Sequence, residues 1–290
     1  MTQSNLQLSP ASPAIGAFVE NLDLSERLSN ATVAQLRTAH AQYGVLFFRD
    51  QQLTPAQHIA FAERLGEINV NRFFTAVEGY PQIAEVRKEP DQLANIGGGW
   101  HTDHSYDQIP ALGSLLYALE LPPSGGDTLF ASTYTAYDAL SDGMKTMLEG
   151  LQAIHSSRHV FGAAANRPED LEDRLGNQQA ATQDALHPVV ITHPHSGRKA
   201  LYVNPGFTVR FSDWTIEEST PLLQFLYRHV AKPEFTYRFN WTPGSLAFWD
   251  NRCTWHYAVN DYHGSRRLLH RITLEGENLE PMTTPASAAL

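Results

Sequence analysis

Along the chain, short apolar runs alternate with turn signals, and helical spacing breaks through in only a few places. Asn30 to Tyr43 has apolar and small residues at helical spacing, Asn30 as a capping residue and Gly44 as the stop, and so predicts a helix. Thr54 to Leu65 predicts a second, with Thr54 as the cap, Pro55 at the first helical position and Gly66 just past the end. Thr215 to His229 predicts a third, with Leu222, Leu223, Leu226 and Val230 along one face. Most of the rest reads as strands. Val45 to Phe48 is a buried strand, Leu112 to Leu121 another and Leu268 to Leu274 a late one. His187 to Thr192 and Lys199 to Val203 flank a Pro-His-Ser-Gly turn and read as a hairpin. Phe235 to Trp241 and Leu246 to Asp250 flank Thr242-Pro243-Gly244-Ser245 and read as another. Many short strands with few helices predict a mainly β chain, a sandwich or jelly roll buttressed by helices. One domain over residues 1–290 is expected. Its ends, about 1–12 and 280–290, are expected to be loosely ordered, and a polar insertion is expected at about 156–185.

Composition narrows the function classes. The 290 residues carry 31 acidic and 21 basic side chains, for a net charge of −10. Such a surface repels nucleic acid and anionic membranes, yet a few local arginines can still bind a small anion. With Cys253 as the only cysteine, an intrachain disulfide and a cysteine-based metal site are excluded. The start lacks a basic and apolar leader pattern, and no run approaches the ~20 apolar residues of a membrane span. A cytoplasmic enzyme is expected, with a small anionic substrate, no nucleic-acid or membrane partner, and self-association into a homo-oligomer.

Trp100-His101-Thr102-Asp103 sets a histidine and a carboxylate two apart, so on an extended segment both point to one face. A third ligand must come from elsewhere, and His256 in an aromatic-rich segment is the best candidate among thirteen histidines. Two histidines and a carboxylate form the facial triad of non-haem iron(II) oxygenases, which leaves positions open for a bidentate 2-oxo acid and O2. Taken alone, His-x-Asp is a weak signal, and a solvated turn is the competing reading. His104 is a rival ligand, disfavoured because an extended segment would turn it away from His101. His193 and His195 repeat the spacing, but in a turn, and read as exposed. Arg267 and Arg271 fall on one face of the late strand, with His270 and Arg266 on the other. Two buried guanidinium groups need anions, either ligand carboxylates or a protein Asp or Glu.

These residues sit among further motifs: Val45 to Gln51, Leu121 to Thr128 with its Gly125-Gly126-Asp127-Thr128 end, Val203 to Phe207, and Trp249 to His256. In that order the chain resembles the TauD/TfdA family of 2-oxoglutarate-dependent dioxygenases over nearly its full length. The resemblance implies a double-stranded β-helix, or jelly roll, of the clavaminate synthase-like type. It implies iron(II) at His101, Asp103 and His256, with 2-oxoglutarate and O2 as co-substrates. Thr128 and Arg267 would hold the distal carboxylate of 2-oxoglutarate, and Arg271 would face the substrate's acid group. The expected reaction hydroxylates a small organic acid, such as an aryloxyalkanoate, sulfonate or sulfate ester, and releases succinate and CO2. Where taurine dioxygenase has a histidine and a tyrosine near the sulfonate, this chain has Asn71 and Phe74, and Val160 takes the place of a serine. With Phe161 and Phe207 these make the substrate pocket more apolar than one for taurine. The other readings kept are taurine dioxygenase proper, a non-catalytic jelly roll that binds a small acid, and a zinc hydrolase on the same ligands.

Overall fold

The computed structural model describes residues 6–163, 165, 168–171 and 174–279. Two sheets face each other. The large one runs, in spatial order, Gln7–Pro10, Ala17–Glu20, Val45–Phe48, Leu246–Asp250, Gly113–Glu120, Arg267–Leu274, Tyr80–Lys88 and Ala76–Val77, and Ile68–Asn69 also pairs with Arg267–Leu274. The strands Thr236–Phe239, Thr128–Ser132 and Thr254–Ala258 form a smaller sheet across the core. This is the expected jelly roll. Two further small sheets, Asp184–Pro188 with Gln152–Ser156 and Thr208–Phe211, and Val190–Thr192 with Lys199–Leu201, complete it.

Period-two alternation explains the layering. Val45, Phe47, Leu116, Ala118, Ala247, Trp249 and Leu269 point inward and meet Phe130 and Phe239 of the smaller sheet. Phe47 stacks on Phe239 with ring centroids 4.2 Å apart. The intervening Leu46, Phe48, Leu115, Tyr117, Leu246, Phe248, Ile272 and Leu274 point outward and are covered by Leu36, Ala39, Phe61, Ala62 and Leu65 of the first two helices. Strands buried on both faces must be apolar throughout, which is why these segments read as continuous hydrophobic runs. The helix Ile216–Val230 packs on the opposite flank, around Trp255 and Val203.

The helices lie at Asn30–Tyr43, Pro55–Leu65 and Ile216–Val230, close to expectation. Thr54 and Thr215 both close capping boxes. Asn30 is not the cap; the Ser29 hydroxyl accepts from the Thr32 N–H, and Asn30 instead bonds Arg64. The second expected hairpin is absent. Thr236–Phe239 pairs with Thr128–Ser132, whereas Leu246–Asp250 pairs with Val45–Phe48 and Gly113–Glu120. The turn between them is the corner where the chain crosses from one sheet to the other, held by Arg49 Nη1 on Thr242 Oγ1 and Ser245 Oγ. The first hairpin survives as Val190–Thr192 against Lys199–Leu201, while Asp184–Pro188 joins Gln152–Ser156. Residues 7–10 are ordered by pairing with Ala17–Glu20, against the expectation of a loose start. Residues 280–290 lie outside the described residues. Two further helices, Thr133–Asp138 and Asp142–Glu149, were not among the predicted elements. No helix of the described residues is long and apolar enough to cross a membrane.

Candidate metal centre and active site

His101 and His256 exchange both backbone hydrogen bonds, His101 N to His256 O at 3.1 Å and His256 N to His101 O at 2.8 Å. A pair bonded in this way puts both side chains on one face, and their ring centroids are 4.1 Å apart. Nε2 of each lies 3.8 Å from Asp103 Oδ1. Among the described residues, the three ligand atoms form one of two His/Cys/Asp/Glu groups close enough to hold an ion. Gly206 lets the backbone pass here, since a Cβ would stand 2.7 Å from His101 Cβ.

The surroundings suit a cation. The Gly99 carbonyl sits 2.8 Å from His101 Nδ1 and fixes that nitrogen as the protonated one, leaving Nε2 free to donate a lone pair. Burial lowers the pKa of both imidazoles, with Asp103 opposing the shift, so both are neutral ligands near pH 7. Burial alone would raise the pKa of Asp103, but Arg271 and the two histidines outweigh it and hold the carboxyl below its usual range. The Ser114 hydroxyl donates to Asp103 Oδ2 at 2.9 Å. Asn251 supports the same loop: its carbonyl accepts from Thr102 Oγ1 at 2.6 Å, and its Oδ1 accepts from Trp249 Nε1 at 2.9 Å. Two neutral imidazoles and a braced carboxylate around one gap fit a divalent ion with nitrogen and oxygen ligands.

The second group, His193, Asp250 and Cys253, does not fit one. Arg252 already clasps Asp250 through Nε and Nη2, at 2.8 and 2.7 Å, and burial pushes the Cys253 thiol up. His193 is fully buried and 3.0 Å from Asp250, so the expectation of an exposed His193 fails; His195 does face solvent. A turn residue goes inside when a buried carboxylate waits for it. His104 is also turned away from the metal group, but not by extension: its φ is +57° and its Nδ1 faces Asp107 at 2.9 Å.

A cavity of about 360 Å³ opens onto the triad. Thr128, Arg267, Arg271, Asn71, Phe74, Val160, Phe161 and Phe207 all reach it, so every pocket residue expected from sequence is brought to one place. Arg267 is buried, and its Nε and Nη2 meet no hydrogen-bond partner among the described residues. Burial lowers its pKa, which marks a cation short of an anion. Gly126, at φ +71°, leaves room for it, since a Cβ would stand 3.1 Å from Arg267 Cδ. Thr128 Oγ1 accepts from Trp241 Nε1 at 3.0 Å, so its own proton is free to donate. Arg271 is partly satisfied: Nη1 lies 3.3 Å from Asp103 Oδ1, and the guanidinium carbon stands 4.2 Å from the Phe74 ring centroid. Among the described residues, the ion pair with a protein carboxylate, weighed from sequence, is therefore realised at Arg271 and not at Arg267. Ser114, Asn251 and Trp241 carry no sequence signal for these roles, and His104, named there only as a rival ligand, bonds Asp107 instead. Of the first three, only Asn251 lies within a quoted motif, Trp249 to His256.

Comparison with known proteins agrees with this geometry. The family model described as "Taurine catabolism dioxygenase TauD, TfdA family" matches residues 7–273. An alkylsulfatase of Acinetobacter baylyi is 38% identical over 277 residues, covering 94% of this chain and 86% of that one. An alpha-ketoglutarate-dependent 2,4-dichlorophenoxyacetate dioxygenase of Cupriavidus pinatubonensis is 34% identical over 284 residues, covering 91% and 96%. The crystal structure of AAD-2 in complex with Mn(II) and N-oxalylglycine superposes with a TM-score of 0.82 at 29% identity, covering 95% and 99%.

Proposed function

Because this chain belongs to the TauD/TfdA family and is a 2-oxoglutarate-dependent dioxygenase, we propose that its reaction is built on His101, Asp103 and His256 as ligands of one iron(II) ion. The observation that carries the reading is the cavity itself. A triad of two neutral imidazoles and a carboxylate, a buried arginine without an anion, and an apolar wall all face the same space. Bound iron(II), with O2 and 2-oxoglutarate, supplies oxidative decarboxylation to succinate and CO2 and places one oxygen atom into a substrate C–H bond.

The chain's own residues bind and orient. Arg267 offers two unpartnered N–H groups to the distal carboxylate of 2-oxoglutarate, and Thr128 adds its hydroxyl proton. N-oxalylglycine, seen in AAD-2, differs from 2-oxoglutarate only by N–H in place of a methylene. Arg271 receives the acid group of the substrate while keeping its contact with Asp103. Phe74, Val160, Phe161 and Phe207 exclude water and enclose an apolar body. With Asn71 and Phe74 where taurine dioxygenase has polar groups, the favoured substrate is a larger acid: a sulfate ester, an aryloxyalkanoate or a bulkier sulfonate. If the hydroxylated carbon bears oxygen, the product breaks down to a carbonyl compound with loss of an alcohol, phenol or sulfate. The same reading places the enzyme in the cytoplasm, where its buried thiol stays reduced.

The test is anaerobic reconstitution with iron(II) and 2-oxoglutarate, addition of O2, and measurement of succinate across hexyl sulfate, hexanesulfonate, phenoxyacetate and taurine. Stimulation by one of the first three, with taurine weak, is expected. No succinate with any of them, coupled or uncoupled, overturns the reading. A His101→Ala protein with full activity overturns the ligand assignment.

A further inference from the structure

Asn71 lines the substrate cavity, yet its side chain is already committed. Its Oδ1 accepts from the backbone N–H of Phe73 at 2.9 Å and of Phe74 at 3.1 Å. Two donors on the oxygen fix the amide orientation, so Nδ2 must be the atom facing His104 Nε2 at 3.3 Å. An amide nitrogen only donates. His104 Nε2 must therefore carry a lone pair, and the ring proton sits on Nδ1, where it is donated to Asp107 Oδ2 at 2.9 Å. The other oxygen of Asp107 is held by Arg72. His104 is buried and strained at φ +57°, a cost that persists only where surrounding contacts hold the residue. The chain of contacts ends at the substrate side. Asn71 anchors the turn that carries Phe74, and the Phe74 ring lies under the Arg271 guanidinium at 4.2 Å.

We propose that Asp107, His104 and Asn71 form a positioning relay that sets how the substrate's acid group meets Arg271. This rests on the reading of Arg271 given above. Asp107 selects the His104 tautomer, that tautomer accepts from Asn71, and Asn71 seats Phe74 against Arg271. Neither Asp107 nor Arg72 lines the cavity, whereas His104, Asn71 and Phe74 do, so Asp107 acts on the substrate only through them.

Single and double variants at Asp107 and Asn71, and one spectrum, test it, with hexyl sulfate and phenoxyacetate as probes. Asp107→Ala should raise the KM for the acid substrate about tenfold to a hundredfold and lower product formed per succinate. The KM for 2-oxoglutarate should stay unchanged, which a general loss of structure would not produce. Asn71→Asp keeps an acceptor for the Phe73 and Phe74 N–H groups but turns an oxygen toward the His104 lone pair. It should match Asp107→Ala, and combining Asp107→Ala with Asn71→Ala should be no worse than Asn71→Ala alone. Additive effects, an equal rise in the KM for 2-oxoglutarate, or no change in substrate KM overturns the relay. If Asp107→Ala does not fold, nitrogen NMR of the metal-free wild type decides: His104 protonated at Nδ1 supports the relay, and His104 protonated at Nε2 overturns it. A wild type that forms no succinate refutes the proposed function instead, and the NMR reading stands apart from that failure.

Discussion

Arg267→Met should separate binding from stability at one residue. In the free protein the Arg267 guanidinium is buried beside Trp241 and Tyr262, but its Nε and Nη2 are unpartnered, so those two N–H groups cost desolvation energy without a matching bond. Methionine keeps much of the stem and removes the charge, so the ligand-free variant should melt at or above the wild-type temperature. With 2-oxoglutarate the order reverses. At a ligand concentration of about 100 times Kd, binding stabilises the wild type by about 2.7 kcal/mol. At about 2 °C per kcal/mol for a chain of this size, that is a shift of about 5 °C. Removing one partner of a buried charge pair costs about 2 kcal/mol or more, roughly a thirtyfold rise in Kd. At the same ligand concentration the stabilisation then falls to about 0.9 kcal/mol, a shift of about 2 °C or less. The assay is an anaerobic melt with and without 2-oxoglutarate, using Mn(II) in place of iron. A variant that keeps the full ligand-induced shift refutes the assignment of Arg267. A ligand-free variant several degrees less stable refutes the claim that the unpartnered Nε and Nη2 outweigh the ring contacts with Trp241 and Tyr262.

Other consequences are equally open to measurement. Ser114→Ala removes the hydroxyl that braces Asp103 and should weaken metal binding about 10- to 100-fold, read by titration with Co(II); unchanged affinity would show the contact to be incidental. Trp241→Phe should raise the KM for 2-oxoglutarate, because the Thr128 hydroxyl loses its donor, and should add nothing in a Thr128→Val background. His40 and His58 are buried, and burial lowers their pKa values to about 4 and about 3. A folded pKa below the unfolded one means the unfolded chain takes up protons first. Stability is therefore full above pH ~6.5 and is lost as the pH falls, by about 2 kcal/mol per histidine at pH 5. His58→Leu should flatten that acid limb in urea melts at successive pH values, and an unchanged slope would sink the account.

The helices and central strands were legible because their signals are local. Thr54 with Pro55 and Thr215 with Glu218 are complete start signals within four residues, and both are capping boxes in the fold. The Thr242 to Ser245 turn misleads for the same reason. Its residues encode a reversal of direction but not which sheet receives the outgoing strand. That choice is made by Val45–Phe48 and Gly113–Glu120, between which Leu246–Asp250 buries both of its faces. His193 misleads likewise: its place in a turn predicts exposure, but its partner, Asp250, lies 57 residues downstream.

The candidate site divides along the same line. His101 with Asp103, and Arg267 with Arg271, are each spaced for a single extended segment, so period two alone puts each pair on one face. What brings His256 to His101 is a pair of backbone hydrogen bonds between segments 155 residues apart, and nothing in either segment announces it. The chemistry hidden from sequence is of one kind: Ser114, Trp241 and Asn251, and His104 in a role other than the ligand weighed for it, each supply a hydrogen bond that fixes a neighbour in place. Such residues have no motif, because the requirement is a donor or acceptor at a point in space and many residue types can supply it. The charged residues do have one, since few side chains can hold a metal or clasp a carboxylate. Arg271 lies between the two cases. Its spacing marked it as an anion site, but its contact with Asp103 shows that a protein carboxylate already takes part of that charge. A substrate acid at Arg271 would therefore join an existing pair, and the strength of its binding depends on how firmly Phe74 and Asp103 hold the guanidinium between them.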